Sequence, residues 1–328
     1  MRAAGREGVY PVSRTRAQTL RAQKLQAASL HRMKICSTIP EARAACRDTR
    51  TNRKRLGLVP TMGALHEGHL SLVRAAKARC DAVAVSIFVN PTQFGPTEDL
   101  SKYPRQFDRD CRLLEKEGVE ILFAPPVEEI YPNSNDRVTW VVVEGLSEKL
   151  DGRSRPGHFR GVTTIVAKLF HILEPDTAFF GQKDAAQLAV IRRMVQDLNF
   201  PVEIVACPIV REPDGLAMSS RNAYLNREER VRALVLQRAL QKARQQFQAG
   251  ERISANLISA AEEIFADEPQ VRLDYFEIVD PDTLDPVERI SQKTLVAVAA
   301  YVGNTRLIDN LVLDGVQCPE TNGFPAMK

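Results

Sequence analysis

The hydrophobic positions of the chain alternate between two spacings from about residue 55 onward. Short continuous apolar runs, such as 81–89, are typical of strands that are buried on both faces of a sheet. Segments with apolar positions at helical spacing follow these runs, and one of them places Leu70, Leu72, Val73 and Ala76 on a single stripe. The alternation predicts an α/β protein with a Rossmann-like parallel sheet that is covered by helices on both faces.

The same pattern places individual elements as far as residue 210. It predicts strands at 55–60, 81–89, 119–124, 177–180 and 202–210. It predicts helices beginning near Leu70 and at 107–117, 161–173 and 185–198.

The character of the chain changes after about residue 215. Two amphipathic helices, at 227–248 and 255–265, precede three strands, at 271–279, 294–302 and 306–313. This arrangement predicts a small α+β domain. The segment Arg-Glu-Pro-Asp-Gly, which ends at Gly215, is typical of a turn and marks a domain boundary. We therefore expect two domains, at 33–210 and 216–314, with an N-terminal extension at 1–32 and a tail at 315–328.

The positive charge of the chain comes from its first 32 residues. The net charge is +4, and residues 1–32 contribute +6 through six Arg and one Lys against Glu7, so the remainder carries −2. A slightly acidic body gives no compositional support to a nucleic-acid partner. The Arg-rich extension is typical of a transit peptide, and the alternative is a start codon assigned upstream of the true one at Met33.

The six cysteines lie far apart and form no Cys-x-x-Cys pair. This spacing favours isolated thiols in a reducing compartment over a zinc site or a disulfide framework. No apolar run approaches the roughly 20 residues that a helix needs to cross a bilayer. The sequence therefore predicts a cytoplasmic protein without a membrane partner.

The segment His66-Glu-Gly-His69 stands between a predicted strand and the next helix. Two imidazoles three residues apart lie on one helical face, and a helix N-terminus already favours anions. The segment therefore predicts a phosphate site, in which Gly68 lets a ligand approach the backbone. A zinc site is one alternative, although no third ligand is evident nearby, and a purely structural role for both histidines is another.

A second segment, Met218-Ser-Ser-Arg-Asn222, follows the predicted domain boundary. Its two hydroxyls and its guanidinium suit the oxygens of a triphosphate, although such a string is also typical of an exposed turn or a helix cap.

A third segment, Gly181-Gln-Lys-Asp184, follows a predicted strand, and ligands of open α/β sheets bind at the carboxyl ends of strands. Lys183 can neutralise a phosphoryl group there and Asp184 can accept a hydrogen bond from a ribose, whereas the alternative is a solvated turn. No Gly-x4-Gly-Lys-[Ser/Thr] phosphate loop occurs in the sequence, so a nucleotide must be held differently.

In this order the three segments resemble the nucleotidyltransferase superfamily that includes the class I aminoacyl-tRNA synthetases. The chain is more specifically similar to the pantothenate synthetase family, from about Met33 to Leu313. Six segments carry that resemblance in the family's own order: 59–70, 88–94, 103–105, 151–162, 180–187 and 216–222.

The resemblance implies an AMP-forming ligase that condenses (R)-pantoate with β-alanine at the expense of ATP, through a pantoyl-adenylate intermediate. It also implies that the C-terminal domain closes over a domain that binds ATP and pantoate. A magnesium ion is expected to bridge the ATP phosphates and to keep most of its waters. A homodimer is a further expectation from the family.

The resemblance assigns site residues by position in this sequence. The catalytic residues, which stabilise charge around the α-phosphate, are expected to be His66, His69, Lys183, Ser219, Ser220 and Arg221. The ATP site is expected to add Met62, Gly63, Ala64, Leu65, Glu67, Gly68, Gly181, Gln182, Asp184, Val210 and Met218. Pantoate is expected to meet Gln93 and Gln187, and β-alanine to meet Gln93, Asn90, Arg155 and His158. Asp110 is the expected carboxylate near the magnesium ion.

Two other functions stay open at this point. Another His-x-Gly-His nucleotidyltransferase would join a nucleoside triphosphate to a phosphorylated small molecule, and product analysis would identify it. An RNA-binding module is the second alternative, and an RNA shift assay with and without residues 1–32 would test it.

Overall fold

A computed structural model describes residues 33–96, 98–132 and 138–314. The expected N-terminal extension at 1–32 and the tail at 315–328 lie outside the described residues. In the part that is described, no helix is long and apolar enough to cross a membrane.

The first sheet has six parallel strands in the spatial order β1-β4-β3-β2-β5-β6. The strands are β1 (Lys34–Cys36), β2 (Leu56–Thr61), β3 (Ala82–Ile87), β4 (Ile121–Phe123), β5 (Thr177–Gly181) and β6 (Glu203–Cys207). The predicted parallel sheet is confirmed. β1 lies in a stretch for which the sequence pattern gave no prediction.

Seven helices accompany this sheet in the described residues: α1 (Ile39–Thr51), α2 (Glu67–Arg79), α3 (Phe107–Glu117), α4 (Val127–Ile130), α5 (Asp151–Ser154), α6 (His158–Leu173) and α7 (Ala185–Asp197). Two hydrophobic clusters lie on opposite faces of the sheet, one beneath α1, α6 and α7 and the other beneath α2 and α3. Helix α6 begins three residues earlier than predicted, directly after Gly157, which adopts the left-handed conformation with φ of 82°.

The second sheet has three antiparallel strands, β7 (Val271–Val279), β8 (Thr294–Val302) and β9 (Thr305–Leu313). Helices α9 (Val235–Gln248) and α10 (Ser254–Ala266) pack on one face of it. The predicted single helix at 227–248 is wrong, because α8 (Arg227–Ala233) ends before Leu234. The N–H of Leu234 bonds to the carbonyl of Val231, and this tighter turn interrupts the regular helical ladder.

The opposite face of the second sheet packs against the first sheet's helices. Tyr275, Leu295 and Ala299 belong to the same buried cluster as residues of α6 and α7. The division into domains at 33–210 and 216–314 stays a prediction.

The sheet opens at its carboxyl edge between β2 and β5. Pairing of these strands ends at Leu58 with Ala178, although β2 continues beside β3 as far as Thr61. Pro60 has no N–H and adds no donor to the ladder at this edge. Because the chain winds outward in both directions from β2 and β5, the gap lies at the position where ligands bind in open α/β sheets.

Candidate active site

A cleft of about 230 Å³ occupies the gap between β2 and β5. It adjoins a second cavity of about 900 Å³ between the two sheets. Five residues line both spaces: Arg155, Lys183, Asp184, Ser219 and Arg221. His66 and His69 line the first cleft together with Lys183 and Ser219, so all three segments that the sequence singled out for phosphate binding meet in that cleft.

His66 and His69 cap the first turn of α2 reciprocally. The Nδ1 atom of His66 accepts the N–H of Gly68 at 3.2 Å, and the Nδ1 atom of His69 accepts the N–H of His66 at 3.4 Å. The two rings lie 4.1 Å apart between centroids. A Cβ atom at Gly68 would lie 2.9 Å from the ring of His66, so the glycine admits that ring, and its expected role of admitting a ligand stays a prediction.

The caps fix the ring proton of each neutral imidazole. Because Nδ1 is an acceptor in both rings, Nε2 carries the hydrogen and is the remaining donor. Burial and the positive charge of Lys183 lower the pKa of His66 to about 4. Burial and the neighbouring His66 lower the pKa of His69 to about 3. The cleft therefore presents two neutral N–H donors at neutral pH.

Asp110 organises the turn that precedes these histidines. Its carboxylate accepts the N–H of Ala64 at 2.8 Å and the N–H of Leu65 at 2.9 Å. The side chain is buried, it is absent from the described lining of the cleft, and burial raises its pKa. The carboxylate satisfies backbone donors in a turn where Ala64 has a φ of 50°, and the expected magnesium role of Asp110 stays a prediction.

Several residues of the expected ATP set have side chains that do not line the cleft. Glu67 is half-exposed and pairs with Arg74 on the surface. Leu65 is buried in the core beneath α2. The side chain of Gln182 bonds to Asn310 of β9 at 3.4 Å. The ATP contacts that are expected of Glu67, Leu65 and Gln182, and of Gly63 and Ala64, stay predictions.

Lys183 and Asp184 follow β5 and reach both spaces. The Nζ atom of Lys183 lies 3.0 Å from Oδ1 of Asp184. Burial raises the pKa of Asp184, but the charge of Lys183 outweighs it and holds the pKa below its usual value. The amide of Asn310 donates to the carbonyls of Gln182 and Lys183, both at 2.9 Å, so the second sheet fixes this turn.

Ser219, Ser220 and Arg221 come from the segment that crosses toward the second sheet. The hydroxyl of Ser219 accepts the N–H of Arg221 at 3.3 Å. The hydroxyls of Ser220 and Tyr103 lie 3.2 Å apart. Arg221 forms a two-point ion pair with Asp99, at 3.1 and 3.0 Å, a contact that the sequence did not predict.

Val210 and Met218 also line the cleft. The N–H of Met218 donates to the carbonyl of Val210 at 3.0 Å. Those two groups are therefore engaged with each other. The N–H of Val210 and the carbonyl of Met218 make no backbone hydrogen bond within the described residues.

Gln93 and Gln187 line the same cleft. Asn90 holds the side chain of Gln93 by donating to its Oε1 at 3.1 Å. Asn90 also donates to the carbonyl of Gly161 at 3.0 Å and accepts the hydroxyl of Tyr131 at 3.0 Å. These bonds make Asn90 a support for the side chain of Gln93, and its expected contact with β-alanine stays a prediction.

Gly161 explains why the Gln93 turn can lie against α6. A Cβ atom at Gly161 would lie 2.4 Å from the carbonyl oxygen of Thr92 and 2.6 Å from the backbone of Gln93. Any larger residue would displace the turn that carries Gln93 into the cleft.

His158 and Arg155 contact Gln93 from the other side. The Nδ1 atom of His158 lies 2.8 Å from the carbonyl oxygen of Gln93, and its Nε2 atom lies 3.0 Å from Nη1 of Arg155. Burial and Arg155 lower the pKa of His158 to about 4. Both ring nitrogens are engaged, His158 lines the cleft, and its expected contact with β-alanine stays a prediction. Arg155 forms a two-point ion pair with Glu98, at 2.8 and 2.7 Å.

A Rossmann-like sheet with capped histidines, a lysine and an arginine around one cleft defines an enzyme of nucleotidyl transfer. A family model described as pantoate-beta-alanine ligase matches residues 34–312. The chain belongs to that family, and it condenses pantoate with β-alanine at the expense of ATP.

Named relatives and solved structures agree with this assignment. The chain is 60% identical over 292 residues to the pantothenate synthetase of Acidobacterium capsulatum, covering 86% of this chain and 97% of the relative. It is 59% identical over 281 residues to that of Koribacter versatilis, covering 86% and 96%. The crystal structure of pantothenate synthetase from Thermus thermophilus matches with a TM-score of 0.81 at 49% identity, covering 85% of this chain and 99% of that one.

A further solved structure carries ligands. The pantoate-beta-alanine ligase of Francisella tularensis, complexed with beta-gamma ATP and beta-alanine, matches with a TM-score of 0.67 at 32% identity, covering 86% of this chain and 98% of that one.

Proposed function

We propose that the condensation proceeds in two steps in the cleft between β2 and β5. In the first step a carboxylate oxygen of pantoate attacks the α-phosphorus of ATP and displaces diphosphate. In the second step the amine of β-alanine attacks the acyl carbon of pantoyl adenylate, loses a proton and displaces AMP. The observation that supports one shared site is the convergence of the capped histidines, Lys183 and Gln93 on a single cleft.

The first step needs donors around a phosphate that gains negative charge. We assign the Nε2–H groups of His66 and His69 to this task, because their Nδ1 atoms are held by the caps. Further donors line the same cleft: the side chains of Lys183 and Arg221 and the hydroxyls of Ser219 and Ser220. Neutral histidine donors stabilise the transferring phosphate without proton transfer.

The adenosine part of ATP is assigned to the part of the cleft that Val210 and Met218 line. The N–H of Val210 and the carbonyl of Met218, which no backbone group of the described residues engages, form a donor and acceptor pair that suits the edge of adenine. The carboxylate of Asp184 and the backbone of Gly181 lie on the same cleft and suit the ribose hydroxyls.

Pantoate is assigned to the apolar side of the cleft. Val162, Val166 and Phe180 supply a wall for its methyl groups, and the amides of Gln93 and Gln187 face the same space. Arg155 is one of three cations that line both the cleft and the second cavity, and it contacts Gln93 through His158, so it is our candidate for the carboxylate of β-alanine.

Magnesium is proposed to arrive with ATP. Within the described ranges no group of three His, Cys, Asp or Glu side chains is arranged to hold a metal ion. The chain therefore fits an ion that is held mainly by phosphate oxygens and water, as Mg²⁺ prefers, and Asp184 is the carboxylate that lies in the cleft beside Lys183.

A homodimer is also proposed. The extended segment at 138–143 exposes 37% of Trp140 and 51% of Val142, beside an apolar hollow that includes Leu198 and Phe200. A two-fold contact would pair this patch with itself. Sedimentation of wild type and Val142→Glu tests it, since an unchanged mass in the variant would exclude this surface.

A cytoplasmic location stays a proposal. It is supported by five free cysteines in the described residues, which suit a reducing compartment.

The first experiment measures diphosphate release from ATP and D-pantoate, with and without β-alanine. A burst of about one equivalent without β-alanine, followed by sustained turnover and AMP when it is added, is the expected result. A double variant, His66→Asn with His69→Asn, serves as the matched control and should show no burst. Release that does not depend on pantoate, or a well-folded protein that is silent under both conditions, would overturn the two-step proposal.

A further inference from the structure

Two adjacent carboxylates each hold one of the two arginines that face the cleft. Glu98 pairs with Arg155 at 2.8 and 2.7 Å, and Asp99 pairs with Arg221 at 3.1 and 3.0 Å. In sequence the partners lie 57 and 122 residues apart. Neighbouring residues of one loop thus hold arginines from two distant parts of the chain.

The Glu98 pair continues as a chain of hydrogen bonds to Gln93. Glu98 occupies Nε and Nη2 of Arg155, which leaves Nη1 to lie 3.0 Å from Nε2 of His158. The Nδ1 atom of His158 lies 2.8 Å from the carbonyl oxygen of Gln93. A change at Glu98 therefore acts on the residue that we assign to pantoate.

The Asp99 pair holds Arg221, which we assign to the phosphates of ATP. Asp99 occupies Nε and Nη2 of Arg221, and Nη1 makes no hydrogen bond within the described residues. The same loop is fixed to the same segment by the contact of Tyr103 with Ser220 and by the bond from Tyr224 to the carbonyl of Lys102. The guanidinium is thus held along one edge while its other edge stays available.

These pairs differ from surface ion pairs in their burial. The side chains of Arg155 and Arg221 are 14% and 26% exposed. Burial raises the pKa of both carboxyl groups, but the bonds from the arginines outweigh it and lower the pKa in each case. Two-point pairs of this kind fix geometry as well as charge.

We propose that Glu98 and Asp99 are positioning residues with separate duties: Glu98 orients Arg155, His158 and Gln93 for pantoate and β-alanine, and Asp99 orients Arg221 for the triphosphate of ATP. The inference rests on the proposed roles of Gln93 and Arg221. The opposite possibility is that each carboxylate competes with a substrate anion for its arginine. Removing a competitor lowers KM, whereas removing a positioning group raises KM or slows the step, so the two possibilities predict opposite signs.

The test is a crossover of two variants, Glu98→Gln and Asp99→Asn, in steady-state diphosphate release with each substrate varied in turn. Glu98→Gln should raise KM for pantoate or β-alanine about tenfold or more and leave KM for ATP within about twofold. Asp99→Asn should show the reverse, with the loss confined to ATP and to the rate of the first step. Equal effects on all substrates in both variants, or a lower KM in either, would overturn the proposal.

A matched control removes a two-point pair that lies outside the cleft. Glu117 holds Arg74 at the protein surface in the same manner, so Glu117→Gln should leave all three KM values unchanged. Glu98→Asp and Asp99→Glu keep the charge and should recover part of the loss, and they replace the amide variants if those unfold. A silent wild type would refute the proposed function, whereas an active wild type without the crossover would refute this inference alone.

Discussion

His66 and His69 each accept a backbone N–H through Nδ1, so one turn of helix α2 is capped by the same two rings whose Nε2 atoms are left for a ligand. The usual capping side chains are short and polar. A histidine cap adds a second nitrogen on the far side of the ring, and the cap fixes where that nitrogen lies. Folding of the helix and preparation of the phosphate site are therefore one event.

Replacing His66 with Asn should separate the cap from the donor. The Oδ1 atom of Asn can still accept the N–H of Gly68, so the free energy of unfolding should stay within about 0.5 kcal/mol. His66→Ala should lose about 1 kcal/mol, and both variants should lose about 100-fold or more in the rate of the first step. Urea denaturation and burst kinetics measure the two effects. A near-normal burst in His66→Asn would show that Nε2 is dispensable.

The stability of the protein without substrates should fall as the pH drops from about 7 to about 5. The pKa values of His66 and His158 are lowered from 6.5 to about 4 and that of His69 to about 3. Between pH 6.5 and about 4 the unfolded chain binds protons that the native chain does not, so the free energy of unfolding decreases as the pH decreases. Urea denaturation at several pH values measures this slope. His66→Asn with His69→Asn should flatten it, and an unaltered slope in that double variant would assign the acid sensitivity elsewhere.

Asp110→Asn should disturb the turn before His66 without changing the magnesium requirement. An amide offers one acceptor where the carboxylate serves both Ala64 and Leu65, so a buried donor is left unpaired at about 1–3 kcal/mol. The melting temperature and the first-step rate should both fall. The magnesium concentration for half-maximal activity should match that of wild type, and an increase of tenfold or more would restore Asp110 as a metal ligand.

Gln93→Ala should raise KM for pantoate far more than KM for ATP. Gln93 lines the cleft, and its Oε1 is fixed by Asn90, so removing the amide takes away a preoriented group for a substrate hydroxyl. An increase of about tenfold or more for pantoate, with ATP within about twofold, is expected in initial-rate measurements. Comparable increases for both substrates would place Gln93 outside the pantoate site.

The sequence pattern predicted the sheet better than the contacts of the site. The central strands β2 and β3 are buried on both faces, and such apolar runs are visible without any partner. The bonds that Asp110 makes to two backbone donors, 45 and 46 residues away, were not predicted. No spacing rule reports a pairing of that length.

The two arginine partners were missed for the same reason. Glu98 and Asp99 stand in a polar loop where charged residues are ordinary, and only the folded chain places them against Arg155 and Arg221. Asn90 and His158 were expected to contact a substrate, and their bonds to Gln93 were not predicted. The motif resemblance located the active site, whereas the role of each residue within it depends on distances that only the structure gives.

The pairing of β2 with β5 ends at Leu58, and the cleft exists because the two strands separate beyond that residue. A sheet gains cohesion from each further rung, but each rung added beyond Leu58 would draw Pro60 and Phe180 together across the space that the substrates need. Further pairing of β2 with β5 would therefore raise thermal stability but reduce the space for the substrates. Stabilising substitutions should therefore avoid that edge and be placed on the outer strands or on the second sheet.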